Sequence, residues 1–438
     1  MKLLLLIGGG IVGVLVGRKL FQRWFNHLSI YSTIWTVSLG LYELKLIQYN
    51  SIIPEAWFFI LLAWFVFYLG SIMVLRAGIA TRHASNYATV FKEVIDNSQR
   101  FFFINSKILK RSIIVLSVLA ALSIGYHLFV VIHFFGGVKA TILNANLLYV
   151  LRLRGEIQEE IPYLSSFALG ACSLAGIYTA VRGKLTFVGV LPLVLIGLGG
   201  AASMGRASIF IAGVLFLTAF LYAPRQKLQK LSILTGLILA IALVIGVLTF
   251  ISSTRGLIIS FKYENPSMEI LRRTHIAFVP SIYFYFSGPP VVFSEYLKAG
   301  GEKFYPGTYT LRPILNVLSK IGLFEPLPRY QDFYFTPEPM NTGTYLRELY
   351  PDFGPIGMTL FPYILGILLT ILHLRIKKRP TLMHIVLQSH LYVIVFLSWL
   401  CNALFLGYYW ISFIVSLFVS LKCSPKSIRG NKVQNGLP

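Results

Sequence analysis

The feature that most limits this chain is the recurrence of apolar runs about 20 residues long. A helix crossing the roughly 30 Å hydrocarbon core of a bilayer needs about 20 mostly apolar residues. Such runs occupy 1–17, 29–49, 52–75, 113–136, 162–181, 185–204, 207–223, 231–252, 355–374, 382–400 and 403–421. Lipid offers no partner to backbone N–H and C=O groups, so segments of this kind must be helical. The expected fold class is therefore all-α: a polytopic integral membrane helical bundle of about eleven transmembrane helices with one long extracytoplasmic loop. Three regions follow: an N-terminal transmembrane bundle over 1–252, a long outer loop over 253–354, and a C-terminal bundle with a basic tail over 355–438. Composition points the same way. Hydrophobic residues make up 56% and charged residues 13%, against about 25% charged in a soluble domain, so a soluble globular chain is excluded.

Two runs need comment. The first begins with Lys2 but has no small-x-small site before Arg18, so an uncleaved anchor is expected rather than a signal sequence. The second contains Glu43 and Lys45, which are costly in lipid; they must face a cavity, pair, or sit near the surface.

The formal net charge is +23, a value that in a soluble domain would suggest nucleic acid. Its distribution points elsewhere. The basic residues gather at 18–28, 76–112, Arg182 and Lys184, Arg225 to Lys230, Arg375 to Arg379, and Lys422 to Lys432, opposed only by Glu93 and Asp96. In an alternating eleven-span topology all six segments fall on one side. The positive-inside rule makes that side the cytoplasm, with the N-terminus outside and the C-terminus inside. No nucleic-acid partner is implied.

The outer side then holds the long connection 253–354, in which basic and acidic residues nearly balance. About 100 residues rich in Pro, Tyr and Phe are too many for a passive link. Within it, Ile276–Phe293 is apolar but broken by Pro280, Gly288, Pro289 and Pro290, which reads as a re-entrant or interfacial piece. Leu311–Leu323 has the form of a short amphipathic helix at the membrane surface.

No Walker A, HExxH, GxSxG or DxD motif occurs, and the three cysteines, Cys172, Cys401 and Cys423, form no CxxC or Cys/His cluster. Neither a metal site nor a nucleotide cofactor is expected. The glycines of Gly197-Leu-Gly199-Gly200 read as close helix packing. Histidines 127, 133, 384 and 390 lie in or at the runs and read as core residues.

Candidate chemistry lies on the outer face. Arg206, in Met204-Gly205-Arg206-Ala207-Ser208, stands between two runs with almost no loop. A guanidinium keeps its charge and its fork matches phosphate oxygens; the alternative is an arginine reaching for lipid headgroups. Arg255, ending the eighth run, has the same two readings. A second group closes the loop: Asn341-Thr-Gly-Thr-Tyr345-Leu-Arg347-Glu348-Leu-Tyr350-Pro-Asp352-Phe353-Gly354-Pro355. Asp352 can cap a helix whose first turn holds Pro355. Arg347 has no such explanation, because a cation does not suit a helix N-terminus. Glu348 or Asp352 beside an acceptor hydroxyl can serve as general base. His275, in Arg272-Arg273-Thr-His275, is a candidate base or phosphate contact or simply a surface residue.

The layout, with Thr344-Tyr345-Leu346-Arg347, Asp352-Phe353-Gly354 and Gly357 closing a long outer loop, and with Gly205-Arg206-Ala207-Ser208 between spans, resembles the Wzy-type O-antigen polymerases, or oligosaccharide repeat unit polymerases. The resemblance implies a glycosyltransferase of the bacterial plasma membrane, working without metal or nucleotide. Its donor and acceptor would be undecaprenyl-pyrophosphate-linked oligosaccharides. A chain-length regulator and a flippase would be its partners. Arg206 and Arg347 match the family's functional outer-loop arginines, while Arg255, Arg272, Arg273, His275 and Tyr345 would line the substrate. The chain departs from one family pattern, an Arg followed by Gly eleven positions later: Leu217 stands at that place after Arg206. An O-antigen ligase uses the same donor and a lipid A core acceptor. A transporter or lipid flippase would show internal repeats and a charged mid-membrane path, and neither is visible in the sequence.

Overall fold

The computed structural model describes residues 2–80, 104–144, 147–148, 151, 156–157, 161, 163–203, 205, 207–224, 278–300, 307–325, 331–336 and 339–423. Over these residues the protein is all-α. In chain order come α1 (Lys2–Phe21), α2 (His27–Glu43), α3 (Pro54–Ala80), α4 (Ser106–Phe135), α5 (Val138–Leu143), α6 (Ser166–Arg182), α7 (Phe187–Ala202) and α8 (Ala207–Tyr222). They are followed by α9 (Phe278–Ser287), α10 (Pro289–Lys298), α11 (Arg312–Lys320), α12 (Tyr345–Lys378), α13 (Leu382–Leu397) and α14 (Gly407–Cys423). The strands among the described residues are two short pieces, β1 (Tyr334–Phe335) and β2 (Pro339–Met340), paired antiparallel.

Four helices are long and apolar enough to cross a membrane: α1, α3 over Pro54–Ala77, α4 and α12. Helices α7, α8, α13 and α14 are apolar but only 16 or 17 residues long, about 25 Å at 1.5 Å per residue. The result is an all-α bundle of apolar helices compatible with a membrane protein. The expected run 231–252 lies outside the described residues.

Two boundaries differ from the sequence expectation. Helix α2 stops at Glu43 and does not run to residue 49. Lys45 is exposed in the turn beyond, in the left-handed region at φ 52°, so this pair sits at a helix end. Helix α12 begins at Tyr345, ten residues before the expected 355, and kinks at Gly354, where φ is 61° and ψ −156°. That conformation is open essentially to glycine alone. It lets a short head, 345–353, turn away from the long apolar part, 355–378.

The packing is set by small residues where backbones cross. Helices α3 and α12 lie against each other, and a Cβ on Gly70 would run into the Tyr363 carbonyl while one on Gly366 would run into that of Phe67. The expected packing role of the 197–200 glycines holds for Gly199, against Ile124 of α4, and for Gly200, against Ile209 of α8. Helix α6 is buried almost throughout, from Ala168 to Ala180. The broken segment of the long connection folds into the bundle as two helices meeting at Gly288: α9 packs on α2 and α10 on α3, with Val291, Val292, Phe293 and Tyr296 fully buried.

Candidate functional site

The head of α12 carries the site. Thr344 takes the extended N-cap conformation, and the helix that follows places Arg347 and Glu348 in its first turn. Asp352 follows Glu348 one turn later, because residues four apart share a helix face. All three are nearly buried, at 2%, 3% and 2% exposure. Burying charge is costly unless it is paired and hydrogen-bonded, and each of these groups has partners.

The Arg347 side chain folds back across the helix start. Its Nη1 donates to Gln331 Oε1 at 2.8 Å and to the Asn341 carbonyl at 2.6 Å, and its Nη2 to the Asp332 carbonyl at 3.1 Å. Gly343 leaves room for this, since a Cβ there would lie 2.6 Å from Arg347 Cδ. The rings of Tyr334 and Tyr296 lie 5.1 Å and 5.5 Å from the guanidinium carbon, within cation–π range. An arginine in the first turn of a helix is unfavourable for the helix itself; here the carbonyls of the 331–341 strap supply the compensation.

Glu348 accepts from Gln331 Nε2 at 2.9 Å and from the backbone N–H of Asn402 through its other oxygen. It lies ahead of the Gly354 kink, outside the long apolar part of α12. Burial pushes its carboxyl up to about 8, against the opposing pull of the Asn402 amide, Gln331 and the Arg347 guanidinium. Such a value suits proton exchange near neutral pH. Asp352 accepts from the N–H groups of Tyr309 and Thr310 at 2.8 Å and 2.6 Å. It thus closes the turn leading into α11. The expected cap on a helix beginning near Pro355 is not formed, because the helix has already started. Burial raises the Asp352 carboxyl while the two amides lower it.

Two neighbours were not singled out by sequence reasoning. Gln331 bridges Arg347 and Glu348 with one amide. Arg312, 7% exposed, holds its guanidinium carbon 4.4 Å above the Phe405 ring. Burial lowers its pKa, while nearby Tyr309 and Glu348 oppose the shift. An uncharged glutamine in a Pro- and Tyr-rich loop carries no signal in one dimension. Arg312 counted only as one cation of a balanced loop. Tyr345, the fourth expected residue of the segment, is fully buried in the core, with its hydroxyl 2.9 Å from that of Tyr31, so it braces the helix head and does not line an open surface. Arg206, Arg255, Arg272, Arg273 and His275 lie outside the described residues. Among the described residues no group of three or more His, Cys, Asp or Glu is placed to hold a metal ion.

The class of protein defined by these observations is an all-α chain with helices of membrane-crossing length and a buried Arg–Glu–Asp cluster at one helix head. No family model matches the chain, no curated protein matches it, and no solved structure matches it.

Proposed function

We propose that the protein is a glycosyltransferase of the repeat-unit polymerase type. In this reading it joins undecaprenyl-pyrophosphate-linked oligosaccharides at the outer face of the plasma membrane. The resemblance of the 344–357 segment supports it, and one observation carries it: the amide of Gln331. Its oxygen accepts from Arg347, as a phosphate oxygen would, and its nitrogen donates to Glu348, as an acceptor hydroxyl would. The assignment of oxygen and nitrogen follows from the partners, since a guanidinium only donates and a carboxylate accepts. A lipid pyrophosphate and a sugar hydroxyl displacing Gln331 would meet the same two groups.

The acceptor hydroxyl oxygen attacks the anomeric carbon of the donor, and the bond from that carbon to the pyrophosphate oxygen breaks. The bonding pair leaves with the lipid pyrophosphate. The hydroxyl proton passes to Glu348. Arg347 offsets the charge that grows on the leaving group, with Arg206 as the proposed second cation. Asp352 positions the 309–312 turn and, through it, Arg312. The test is the length distribution of the surface polysaccharide on a gel. Deleting the gene should collapse the ladder to single repeat units, and Arg347→Lys should shorten it, because an ammonium cannot reproduce the fork. A ladder of normal length in the deletion strain overturns the reading. Loss of every unit points to a ligase or flippase.

A further inference from the structure

We infer that α11 is an in-plane membrane anchor, bedded in the interfacial layer of the bilayer and clasped to the buried head of α12. This does not depend on the activity proposed above. Leu311, Ile314, Val317, Ile321 and Leu323 are exposed by 43%, 55%, 54%, 64% and 72%. The first four are spaced by three or four residues, so they share one face of the helix and its C-cap. The opposite side holds Arg312, buried against Phe405. At nine residues the helix is about 14 Å long, far too short to span.

Its occupant follows from where this face leads. Asp352 ties the turn ahead of α11 to α12 through the amides of Tyr309 and Thr310. The backbone just ahead of Leu311 is thereby held at the residue just ahead of Phe353. Beyond the Gly354 kink the exposed residues of α12 run as Ile356, Leu360, Ile364 and Leu368, at intervals of four. Helix α12 is long and apolar enough to cross a membrane, and a stripe of that kind on its outer side is a lipid contact. The α11 face is the continuation of that stripe around a corner. Two further contacts put α11 at the ends of apolar helices. It packs on α14 and the 403–405 turn, and Lys320 Nζ lies 5.6 Å from the ring of Tyr163, just ahead of α6. A helix with an apolar face, lying across the ends of other helices and flanked by Lys and Tyr, has the form of an interfacial segment. The consequence is positional: lipid holding α11 also holds Asp352, and the Arg347–Glu348 pair one turn earlier sits at headgroup depth.

The full chain in phosphatidylcholine nanodiscs tests this. A bimane label is placed at Ile314→Cys or Val317→Cys in a Cys401→Ser background. Quenching by phosphatidylcholine brominated in its acyl chains is compared with quenching by aqueous iodide. The expected result is several-fold stronger quenching by the brominated lipid at both positions. Stronger quenching by iodide overturns the proposal. So does silence to both quenchers with cross-linking between copies, which would make the face a protein contact. Adding Asp352→Ala should shift both labels toward iodide, and unchanged lipid quenching in that variant would remove the clasp from the proposal. If a labelled variant does not fold, hydrogen exchange of the unaltered protein serves: protection at 311–321 should fall on moving from nanodiscs to a short-chain detergent, and equal protection in both overturns the inference.

Discussion

Helix α12 carries two buried polar clusters, and they are built differently. At its head, Arg347, Glu348 and Asp352 are ionisable, and most of their partners are backbone groups of irregular segments: the carbonyls of Asn341 and Asp332 and the amides of Asn402, Tyr309 and Thr310. Farther along, Thr370 and His373 join a network of side chains drawn from four other helices or their ends. His27 Nε2 lies 3.0 Å from Thr370 Oγ1 and 3.2 Å from Ser71 Oγ. Tyr222 OH lies 3.2 Å from His373 Nδ1 and 2.6 Å from Tyr392 OH. The difference has a physical origin. Inside a bundle the helical N–H groups are already paired, so none is free to hold a charge; hydroxyls there share carbonyls that are already accepting, as Thr370 and Ser71 do with that of Gly366. Where helices end, free N–H and C=O groups can cradle a charge. The second cluster therefore reads as interhelical glue, while the first is the one to which the proposed function assigns the chemistry.

Mutations at the two clusters should differ in kind. Replacing Glu348 with Gln keeps the shape and removes the base. The expected result is a loss of polymerisation rate of about 100- to 10,000-fold, measured with lipid-linked repeat units and the purified protein. A rate within a few-fold of the parent would remove Glu348 from the chemistry. Arg347→Ala leaves the Gln331 amide oxygen and the carbonyls of Asn341 and Asp332 without their donor. It should cost about 1–3 kcal/mol in chemical unfolding in detergent, in addition to activity.

Glu348 also predicts a pH dependence. Its carboxyl is raised from 4.5 to about 8, so the folded state holds the proton more tightly than the unfolded one. The sign follows from linkage: stability from this group is greatest below about pH 4.5, falls as pH rises toward about 8, and is level above. The drop should be a few kcal/mol and should vanish in Glu348→Gln. Parallel pH profiles of the melting temperature for parent and variant would contradict it. Gly354→Ala forces a side chain into a glycine-only conformation and should cost about 1–3 kcal/mol, realigning the head and disturbing the anchor more than the His27 cluster. The smallest effect belongs to the glue. Tyr222→Phe should cost about 0.6–1.7 kcal/mol and leave polymer length unchanged; shortened polymer in this variant would break the contrast between the two clusters.

Much of the architecture was legible in one dimension because the hydrophobic effect acts on local composition. Ten of the eleven apolar runs coincide with described helices, and the remaining one lies outside the described residues. Helix ends were less legible. Glu43 and Lys45 looked like charges within a run because sequence does not show where α2 turns, and the 345–353 head looked like loop because Pro351, Gly354 and Pro355 resemble breakers. At the site, Arg347, Glu348 and Asp352 stood out as charges packed ahead of an apolar run. Their partners did not. Gln331 is sixteen residues from Arg347, Asn402 is fifty-four from Glu348, and Tyr309 is forty-three from Asp352. His27 and Thr370 are separated by 343 residues.

What sequence alone determined, then, is the material: an all-α chain whose apolar runs form helices, with few charges inside them. Those properties belong to each segment separately, since transfer from water depends on the residues being transferred. What only the tertiary structure decided is which charges are held together and by what. A buried ion needs several partners in a fixed geometry, and those partners come from segments far apart in the chain. Gln331 between Arg347 and Glu348 and Asp352 on the turn into α11 exist only once the bundle has brought its ends together.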